Sequence, residues 1–461
     1  MRFGGLAAAA ALLGGCAGPL ADEQPRGLVL PPLTYTGTLP PTGAAEAWWE
    51  GFNDPALTAL IERGFATNLQ TDAAADRLRA AAALLRAERA DRLPVLDGGV
   101  EGGVGLGSDN ELTAAAGLFG LFNPDISGRL AAEVRAAAAD YAEAGYILAD
   151  ERRLLAAVIA SQYIAYRQAG AELELLDEST DLQEQTLRIV TLRFEAGLSA
   201  NLDVRRAASD LAQTQAQRGL IAIDRAEAVN ALAVLLAEPP GVFDPPPAAD
   251  DTLIPDYAGG PPAGLPADLL RRRTDILAAE ARLVRAAAEI GIEEADLRPS
   301  LTVPVNLAIG DGTLGGILSD FLGTVGAALD LPLFDGGRRR AEVAAAEALA
   351  DASFAEYRLT FLDALAEVEN ALVAIEAYNQ RIGALREAIE QSETALTQSN
   401  ALYREGLASL FDVLDAQRQL ITSREALIEA EAALALSYVA FHAAAGSGGF
   451  LPGETAPLPT P

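Results

Sequence analysis

Residues 338–445 carry an apolar repeat with a period of seven, and the repeat breaks only once, at residues 406–409. Apolar side chains occupy every seventh position over residues 354–403 and again over residues 413–441. This spacing is typical of coiled coils. A helix ending at Tyr403 would be about 100 Å long, which is more than an ordinary globular core needs. The pattern therefore predicts a long antiparallel helical hairpin.

The same pattern occurs earlier in the chain, over residues 129–236. Three landmark pairs lie 209 positions apart: Gly128 and Gly337, Gly197 and Gly406, and Asp203 and Asp412. A constant offset over so long a stretch indicates an internal duplication. We therefore predict a first repeat at residues 48–236 and a second at 267–445. A Pro- and Gly-rich crossover at residues 237–266 joins them.

A pair of strands is predicted ahead of each long hairpin, at about residues 95–122 and 300–333. Apolar and polar residues alternate there with a period of two. In the second pair, alternate apolar residues predict one strand over residues 301–309 and another over residues 325–333. The strands have the length of tilted transmembrane β-strands.

Unpaired strand edges cannot be left in lipid, and single-chain barrels need at least about eight strands. Closure of a spanning sheet therefore requires several chains, and three chains of four strands each would give twelve. The alternative is two soluble hairpins packed on the helices.

The N-terminus predicts export and attachment to a membrane. Residues 1–15 read as a signal peptide, and Cys16 follows small residues as in a bacterial lipobox. Lipidation of Cys16 would make residues 16–47 an anchored tether, and Ala17 favours the outer membrane over the inner membrane. The alternative is a signal peptide with an incidental cysteine. Beyond the signal there is no uncharged apolar run of 18 residues, so no transmembrane helix is predicted.

Composition argues against nucleic-acid binding and against catalysis. The chain has 65 acidic residues against 34 arginines and no lysine, which gives a formal charge of −31. One histidine, His442, cannot build a paired-histidine metal site or a catalytic triad. A GxGxxG motif at residues 310–315 lies in a loop between strands, with no helix after it. We therefore predict no enzyme activity, no metal and no cofactor other than the lipid on Cys16.

Several motifs together resemble the TolC-type outer-membrane efflux family, in its lipoprotein branch of OprM- and NodT-like proteins. They are the lipobox, WWEGFNDPAL from Trp48, GLPADLLRRRTDILAAEARL from Gly264, IGIEEADLRPSLTV from Ile290, LPLFDGGRRRAEV from Leu331, and the tips AGLSANLDV and EGLASLFDVLDAQ. The resemblance covers nearly all of the mature chain.

The resemblance implies a mostly α-helical fold with a transmembrane β part. Three chains would form a twelve-stranded β-barrel in outer-membrane lipid, continuous with a twelve-helix α-barrel in the periplasm. The crossover would lie in an equatorial belt, and residues 446–461 would form a C-terminal tail.

The function implied is a passive exit duct of a tripartite efflux system that carries small molecules such as drugs or toxic compounds. Its partners would be a periplasmic membrane-fusion adaptor and an inner-membrane pump. The alternatives are a periplasmic coiled-coil adaptor or scaffold lipoprotein, and the duct of a type I protein secretion system.

The resemblance also implies a gate at the periplasmic hairpin tips. Asp412 and Asp415 match positions of carboxylate rings, Tyr403 matches a residue that holds the mouth closed, and Asp203 is the repeat counterpart of Asp412. Rings of carboxylates bind cations in channels. The alternative role for Asp412 is a helix cap with Ser409.

The tips Gly197-Leu198 and Gly406-Leu407 are implied as docking points for the adaptor. Both glycines also follow a helix, so we expect each to adopt the positive φ of a helix C-cap. Some family members complete their closing latch with an Arg two residues after the tip glycine, where this chain has Ala408. A latch with that wiring is therefore not expected.

Overall fold

The structure is a computed structural model that describes residues 47–104, 112–246, 254–259, 273–309 and 321–447. Several sequence predictions lie outside these residues: the signal peptide, the Cys16 tether as far as residue 46, residues 247–253 and 260–266 of the crossover, the GxGxxG loop and the tail from residue 448.

The described part of the first repeat begins with a short 3-10 helix, and the described part of the second repeat begins with the α-helix at Thr274. The elements of the first are the 3-10 helix (Trp48–Phe52), α1 (Pro55–Thr67), α2 (Leu69–Ala90), β1 (Val95–Val104), β2 (Leu112–Phe122), α3 (Arg129–Glu195) and α4 (Asn201–Leu235). The elements of the second are α5 (Thr274–Ala295), β3 (Ser300–Ile309), β4 (Phe321–Val325), β5 (Ala328–Asp330), α6 (Arg338–Arg404) and α7 (Leu410–Ala444).

Corresponding helices of the two repeats have equal lengths. Helices α3 and α6 have 67 residues each, α4 and α7 have 35 each, and α2 and α5 have 22 each. Each long helix begins after a glycine with positive φ, Gly128 at 82° and Gly337 at 91°. The predicted internal duplication is therefore present in the fold.

Heptad positions of the second hairpin are buried. Three members, Phe354, Ile389 and Leu427, are half-buried. The buried members are Phe361, Val368, Ile375, Ile382, Leu396 and Tyr403 on α6 and Val413, Leu420, Leu434 and Phe441 on α7. Burial of large apolar side chains at this spacing is what holds α6 and α7 together. The coiled-coil prediction is confirmed for this hairpin.

Two short helices follow one another along each long helix. Helix α3 packs against α4 in its half near the hairpin tip and against α2 and α5 in its half near the sheet. The junction at Asn68 joins two of them, because its side-chain amide donates to the carbonyl of Leu235 at 2.9 Å while its oxygen caps α2. At the equivalent junction, Arg273 at the start of α5 donates to the carbonyl of Ala444 at the end of α7, at 2.8 Å.

The strands form one antiparallel sheet in the order β1-β2-β3-β4, with β5 also paired to β3. The two strand pairs are joined through β2 and β3, for example at Phe122 and Val303. The sheet thus runs continuously from one repeat into the other, and β1 and β4 are its outer strands in the described part of the chain.

The second strand of the second pair lies further towards the N-terminus than predicted, with segments between Phe321 and Asp330 in place of one strand over residues 325–333. Instead of continuing to residue 333, it is interrupted after Val325 and ends at Asp330. Register is kept across the interruption, because Val305 pairs with Val325 and Thr302 with Ala328. The gap lies opposite Pro304, which has no N–H to donate to the ladder.

His442 lies in an aromatic cluster that joins three separate parts of the chain. Its ring stacks on Trp48 with centroids 5.4 Å apart, and its Nε2 lies 2.7 Å from the hydroxyl of Tyr257. Tyr257 also stacks on Tyr438, at 4.6 Å. Burial lowers the pKa of His442 from 6.5 to about 4. The cluster fixes the N-terminal 3-10 helix and the crossover segment onto α7.

Helix α7 is the one described helix that is long and apolar enough to cross a membrane by length and composition. Its apolar side chains pack on α3 and α6, and over half of the apolar stretch is buried inside the chain. Helix packing therefore accounts for its hydropathy.

Candidate functional site at the hairpin tips

The two hairpins turn with the same backbone geometry. Gly197 has a φ of 73° and Gly406 a φ of 77°, a region that residues with a Cβ rarely adopt. In both turns the residue after the glycine donates its N–H to a carbonyl five residues earlier, at 2.8 Å: Leu198 to Arg193, and Leu407 to Leu402. This is a Schellman motif, and the predicted positive φ of both glycines is confirmed.

The tips expose apolar side chains. Leu198 is 68% exposed and Leu407 is 76% exposed, and Leu202 and Phe411 in the following first turns are also exposed. Large apolar groups at the end of a helical hairpin cost free energy in water unless another surface covers them. The tips therefore have the character of a contact surface.

Asp412 closes a capping box at the start of α7. One carboxylate oxygen accepts from both the backbone N–H and the hydroxyl of Ser409, at 2.8 Å each. These hydrogen bonds lower the pKa of Asp412 below its usual range. The expected helix cap is therefore present, and the carboxylate stays charged near the helix N-terminus. In the first repeat the N-cap is Ala200, which has no side chain to do this.

The other predicted gate residues have different surroundings. Asp415 lies one turn further along α7, is exposed, and makes no hydrogen bond or ion pair with the rest of the described chain. Asp203 is half-buried, and its charge adds to the effect of burial, which is the main cause of the raised pKa of Tyr403. Among the described residues, no hydrogen bond or ion pair joins Asp203 or Tyr403 to each other, to Asp412 or to Asp415.

Tyr403 lies in an apolar cluster between the two hairpins. It is 8% exposed, and it packs with Val190 of α3 and with Leu410 and Val413 of α7. Burial raises the pKa of Tyr403, and the nearby Arg193 acts in the opposite direction. The Tyr403 hydroxyl is buried and has no hydrogen-bond partner within the part of the chain that the structure describes. Its ring, rather than its hydroxyl, makes the contacts.

Arg193 crosses from the first repeat to the second at this point, and sequence reasoning missed it. Its guanidinium carbon lies 4.7 Å from the centroid of the Tyr403 ring. One of its terminal nitrogens donates to the backbone carbonyls of Tyr403 at 3.3 Å and Arg404 at 3.5 Å. A link between the hairpins therefore exists without an Arg at the position of Ala408.

Further polar groups cross between α3 and α7 above the tips. Gln417 is 2% exposed and donates its side-chain amide to the hydroxyl of Thr186 at 2.8 Å. Arg424 on α7 pairs with both Glu178 of α3 and Glu393 of α6. A hydrogen bond between buried side chains fixes the rotation and register of the helices that carry it.

The sequence profile described as outer membrane efflux protein matches residues 60–238 and 265–447. These two segments cover most of both repeats and omit the crossover between them.

The chain belongs to the outer membrane efflux protein family.

Relatives of this efflux protein are similar over almost their full length. It is 32% identical to "Nodulation protein T" of Rhizobium leguminosarum bv. viciae over 454 residues, which is 95% of this chain and 92% of the relative. It is 30% identical to "Solvent efflux pump outer membrane protein SrpC" of Pseudomonas putida, with 87% of each chain covered. Among solved structures, the outer-membrane channel OprN aligns with a TM-score of 0.81 at 28% identity, over 90% of this chain and 99% of that chain.

These likenesses confirm the family that the motifs indicate and a mostly helical fold of the same kind as the solved channels. The protein is an outer-membrane efflux channel that extends into the periplasm, and its family is one of ducts rather than enzymes. The alternative of a coiled-coil adaptor or scaffold lipoprotein is not supported, because the family match includes both hairpins and the strands ahead of them.

Proposed function

We propose that three copies of this efflux protein close into one duct, and the observation that carries this proposal is the open sheet. β1 pairs only with β2, and β4 pairs only with β3, within the described chain. Within one chain the last strand of the first repeat, β2, pairs with the first strand of the second repeat, β3. The same pairing between two copies would place β4, the last paired strand of one copy, beside β1, the first strand of the next. Strands in lipid need both edges paired, so a closed ring of copies satisfies them.

The helices leave matching faces open. Helix α5 packs between α3 of the first repeat and α6 of its own repeat. Its counterpart α2 packs on α3, and its other side keeps Leu69 and Leu84 exposed. The sheet half of α6 likewise exposes Leu349, Leu359 and Leu362. If the two repeats pack alike, the exposed side of α2 would contact α6 of a neighbouring copy, as α5 contacts α3. Such a contact is head-to-tail and can close copies into a ring.

Three is the number of copies that the family resemblance implies. Three chains with four strands each would form a barrel of twelve strands, and four long hairpin helices from each would form a wall of twelve helices. The exit duct would be passive and would draw its energy from an inner-membrane pump through a periplasmic membrane-fusion adaptor. The exposed tip leucines, Leu198 and Leu407, together with Gly197 and Gly406, would dock that adaptor.

The tips would also form the gate, with Asp412 and Asp415 supplying six carboxylates to three chains. Tyr403 and Asp203 would lie beside them in each chain. A ring of carboxylates binds cations and can block a pore with them. Cys16 would carry a covalent lipid that holds the N-terminus in the outer membrane. Small apolar compounds of the kind named for the solvent-pump relative are a suitable class of cargo.

Purified full-length protein in planar bilayers tests the duct. We expect a trimer on unheated detergent electrophoresis and discrete conductance steps. Asp412→Ala combined with Asp415→Ala should raise the conductance or weaken block by divalent cations. The matched control is Asp351→Ala with Asp363→Ala, which removes equal charge from exposed positions on α6 far from the tip. A monomer that never inserts would refute the duct, and equal divalent block in both double variants would refute the carboxylate gate.

A further inference from the structure

The joint between the two repeats of one chain provides a template for the joint between two copies. At the sheet end of α3, the Nε of Arg129 lies 3.3 Å from a carboxylate oxygen of Glu133, one turn along the same helix. It also lies 3.3 Å from a carboxylate oxygen of Asp296, which is the C-cap of α5 in the second repeat. One arginine therefore pairs with an acid on its own helix and with an acid on a short helix of the other repeat.

The second repeat has the same arginine without the second partner. Arg338 is the counterpart of Arg129, 209 positions later, and it pairs with Glu342, the counterpart of Glu133, at 2.6 Å. The Arg338 side chain is 61% exposed and makes no other ion pair within the described part of the chain. A guanidinium has five N–H donors, so it can hold a second carboxylate as Arg129 does.

Asp91 is the counterpart of Asp296. Each is the C-cap of its short helix, α2 or α5, and each lies three residues before a proline. Asp91 is exposed, and its side chain makes no hydrogen bond or ion pair with any other residue that the structure describes. The counterparts of the bonded Arg129 and Asp296 are therefore both present in the chain, on α6 and α2, but they do not pair within one copy.

The sheet defines equivalent positions residue by residue. Val95 pairs with Leu121 where β1 meets β2. Ser300 pairs with Asp330 where β3 meets β5. Because each strand pair stands between a short helix and a long hairpin of its own repeat, Val95 corresponds to Ser300. In the same way, Leu121 corresponds to Asp330, and these two residues are 209 positions apart, as are the landmarks of the hairpins.

The joint between β2 and β3 gives the register that is expected between copies. Within one chain, Leu121 pairs with Pro304 at this joint. The counterpart of Leu121 is Asp330. The counterpart of Pro304 is Gly99, which lies as far along β1 as Pro304 lies along β3. The same joint between two copies would therefore pair Asp330 of one copy with Gly99 of the next.

Apolar side chains near this joint are exposed in one copy. Leu93 is 62% exposed and Phe334 is 93% exposed. Within one chain, Arg298 donates to the carbonyl of Ser127 at 3.2 Å. The counterparts of these two residues are Leu93 and Gly336, so the same joint would bring Leu93 of the next copy to the segment that carries Phe334. Mutual burial of such side chains favours association.

We infer that Arg338 of one copy pairs with Asp91 of the next copy, and that Asp330 and Gly99 are strand partners at the same joint. This inference rests on the proposed duct and specifies the surfaces by which two copies recognise each other. Because every copy supplies the arginine at one joint and the aspartate at the other, the contact is head-to-tail. An exposed ion pair stabilises little by itself, but like charges in its place oppose association, so the pair selects the correct partner surface.

The first test co-expresses full-length Asp91→Arg and Arg338→Asp, each with its own affinity tag. Homotrimers of either variant have like charges at all three joints, whereas a mixed trimer has opposite charges at two of its three joints. Homotrimers should therefore fall at least about tenfold below the roughly one quarter of trimers that random mixing gives. Chains that carry both substitutions should again form homotrimers at the wild-type yield. Random mixing of the two single variants would refute the ion pair.

The matched control is the same reversal at the template pair, with Arg129→Asp and Asp296→Arg on separate chains. This pair lies inside one chain, so each variant keeps its like-charged joint whichever neighbours it has. Co-expression should give random mixing. A preference for mixed trimers here as well would overturn the assignment, because the effect would then not depend on a joint between copies.

The second test reads the joint without reversing a charge. Gly99→Cys with Asp330→Cys places two thiols on strand partners, whose Cα atoms lie within the range of a disulfide. Oxidation should give a covalent trimer on denaturing electrophoresis. Gly98→Cys with Asp330→Cys should not, because successive side chains of a strand point to opposite faces. Oxidised wild type reports any cross-link through Cys16, the only native cysteine.

The outcomes separate this joint from the duct itself. A native trimer in which the Gly99 pair fails to cross-link, or in which the Gly98 pair cross-links instead, would refute the register and leave the duct intact. Absence of any trimer from wild type would refute the duct, and the joint with it.

Discussion

Acidification should destabilise the joint around His442, and a variant without the imidazole isolates this effect. His442 is the only histidine in the chain, so no other imidazole titrates between pH 4 and 6.5. Its ring lies against Trp48 and Tyr257, which are uncharged over this range. Because burial disfavours the imidazolium, the folded protein keeps His442 neutral down to a pH of about 4.

The sign and size follow from proton linkage. Above pH 6.5 neither the folded nor the unfolded chain protonates His442, so there is no pH dependence from this group. Between pH 6.5 and about 4 only the unfolded chain binds the proton, and stability falls as the pH falls. The loss levels off below about pH 4. A pKa lowered from 6.5 to about 4 corresponds to a total loss of about 3 kcal/mol per chain.

The assay is thermal unfolding followed by circular dichroism at pH values from about 7.5 to 4.5, for wild type and His442→Phe. The variant keeps a flat ring against Trp48 and loses the hydrogen bond to Tyr257 at every pH. We expect it to be less stable than wild type at neutral pH and to lose less stability on acidification. Carboxyls with raised pKa values, such as Glu425, titrate in both proteins and act in the opposite direction, so the comparison removes them. Parallel curves for the two proteins would refute a neutral buried His442.

Three further predictions concern the tips and the anchor. Asp412→Asn should weaken the capping box and lower the melting temperature, whereas Asp415→Asn should leave the melting temperature unchanged. If Asp415→Asn still weakens the block of conductance by divalent cations in bilayers, the block depends on carboxylate charge and not on the helix cap. Gly406→Ala, at a φ of 77°, should lower the free energy of unfolding by about 1 kcal/mol. Gly383→Ala inside α6, where an added Cβ meets nothing within 4 Å, should raise it by about 1 kcal/mol. Equal shifts in melting temperature for the two variants would contradict both expectations. Cys16→Ser should abolish metabolic labelling with a radioactive fatty acid, and persistent labelling would exclude that cysteine as the lipidation site.

The hairpins could be predicted from sequence because their information is local and periodic. Heptad positions such as Val368 and Ile375 are buried as the pattern requires, and the constant offset between Gly197 and Gly406 predicts two equal units. The turn chemistry at both glycines likewise follows from one residue type in one position.

Features that depend on distant partners were harder to predict. The second strand ends at Asp330, although its alternation continues to Leu333, because its pairing partner β3 begins only at Ser300, directly after Pro299. The contact between Arg193 and Tyr403 spans 210 positions and depends on how two long helices are rotated about their axes. A signal was available, since Arg193 has an apolar counterpart at Leu402, but periodicity alone does not show which partner it meets.

The end-to-end junctions at Asn68 and Arg273 lie where a long hairpin ends and a short helix begins. Each long helix is continuous. The end of α4 lies against the start of α2, and the end of α7 lies against the start of α5. The crossover and both chain ends connect to the wall at that level. An insertion or a fused domain in the crossover away from Tyr257, which holds that segment to His442, or after Ser447, would therefore leave every long helix uninterrupted. New sequence could be added to this protein there without rebuilding the duct.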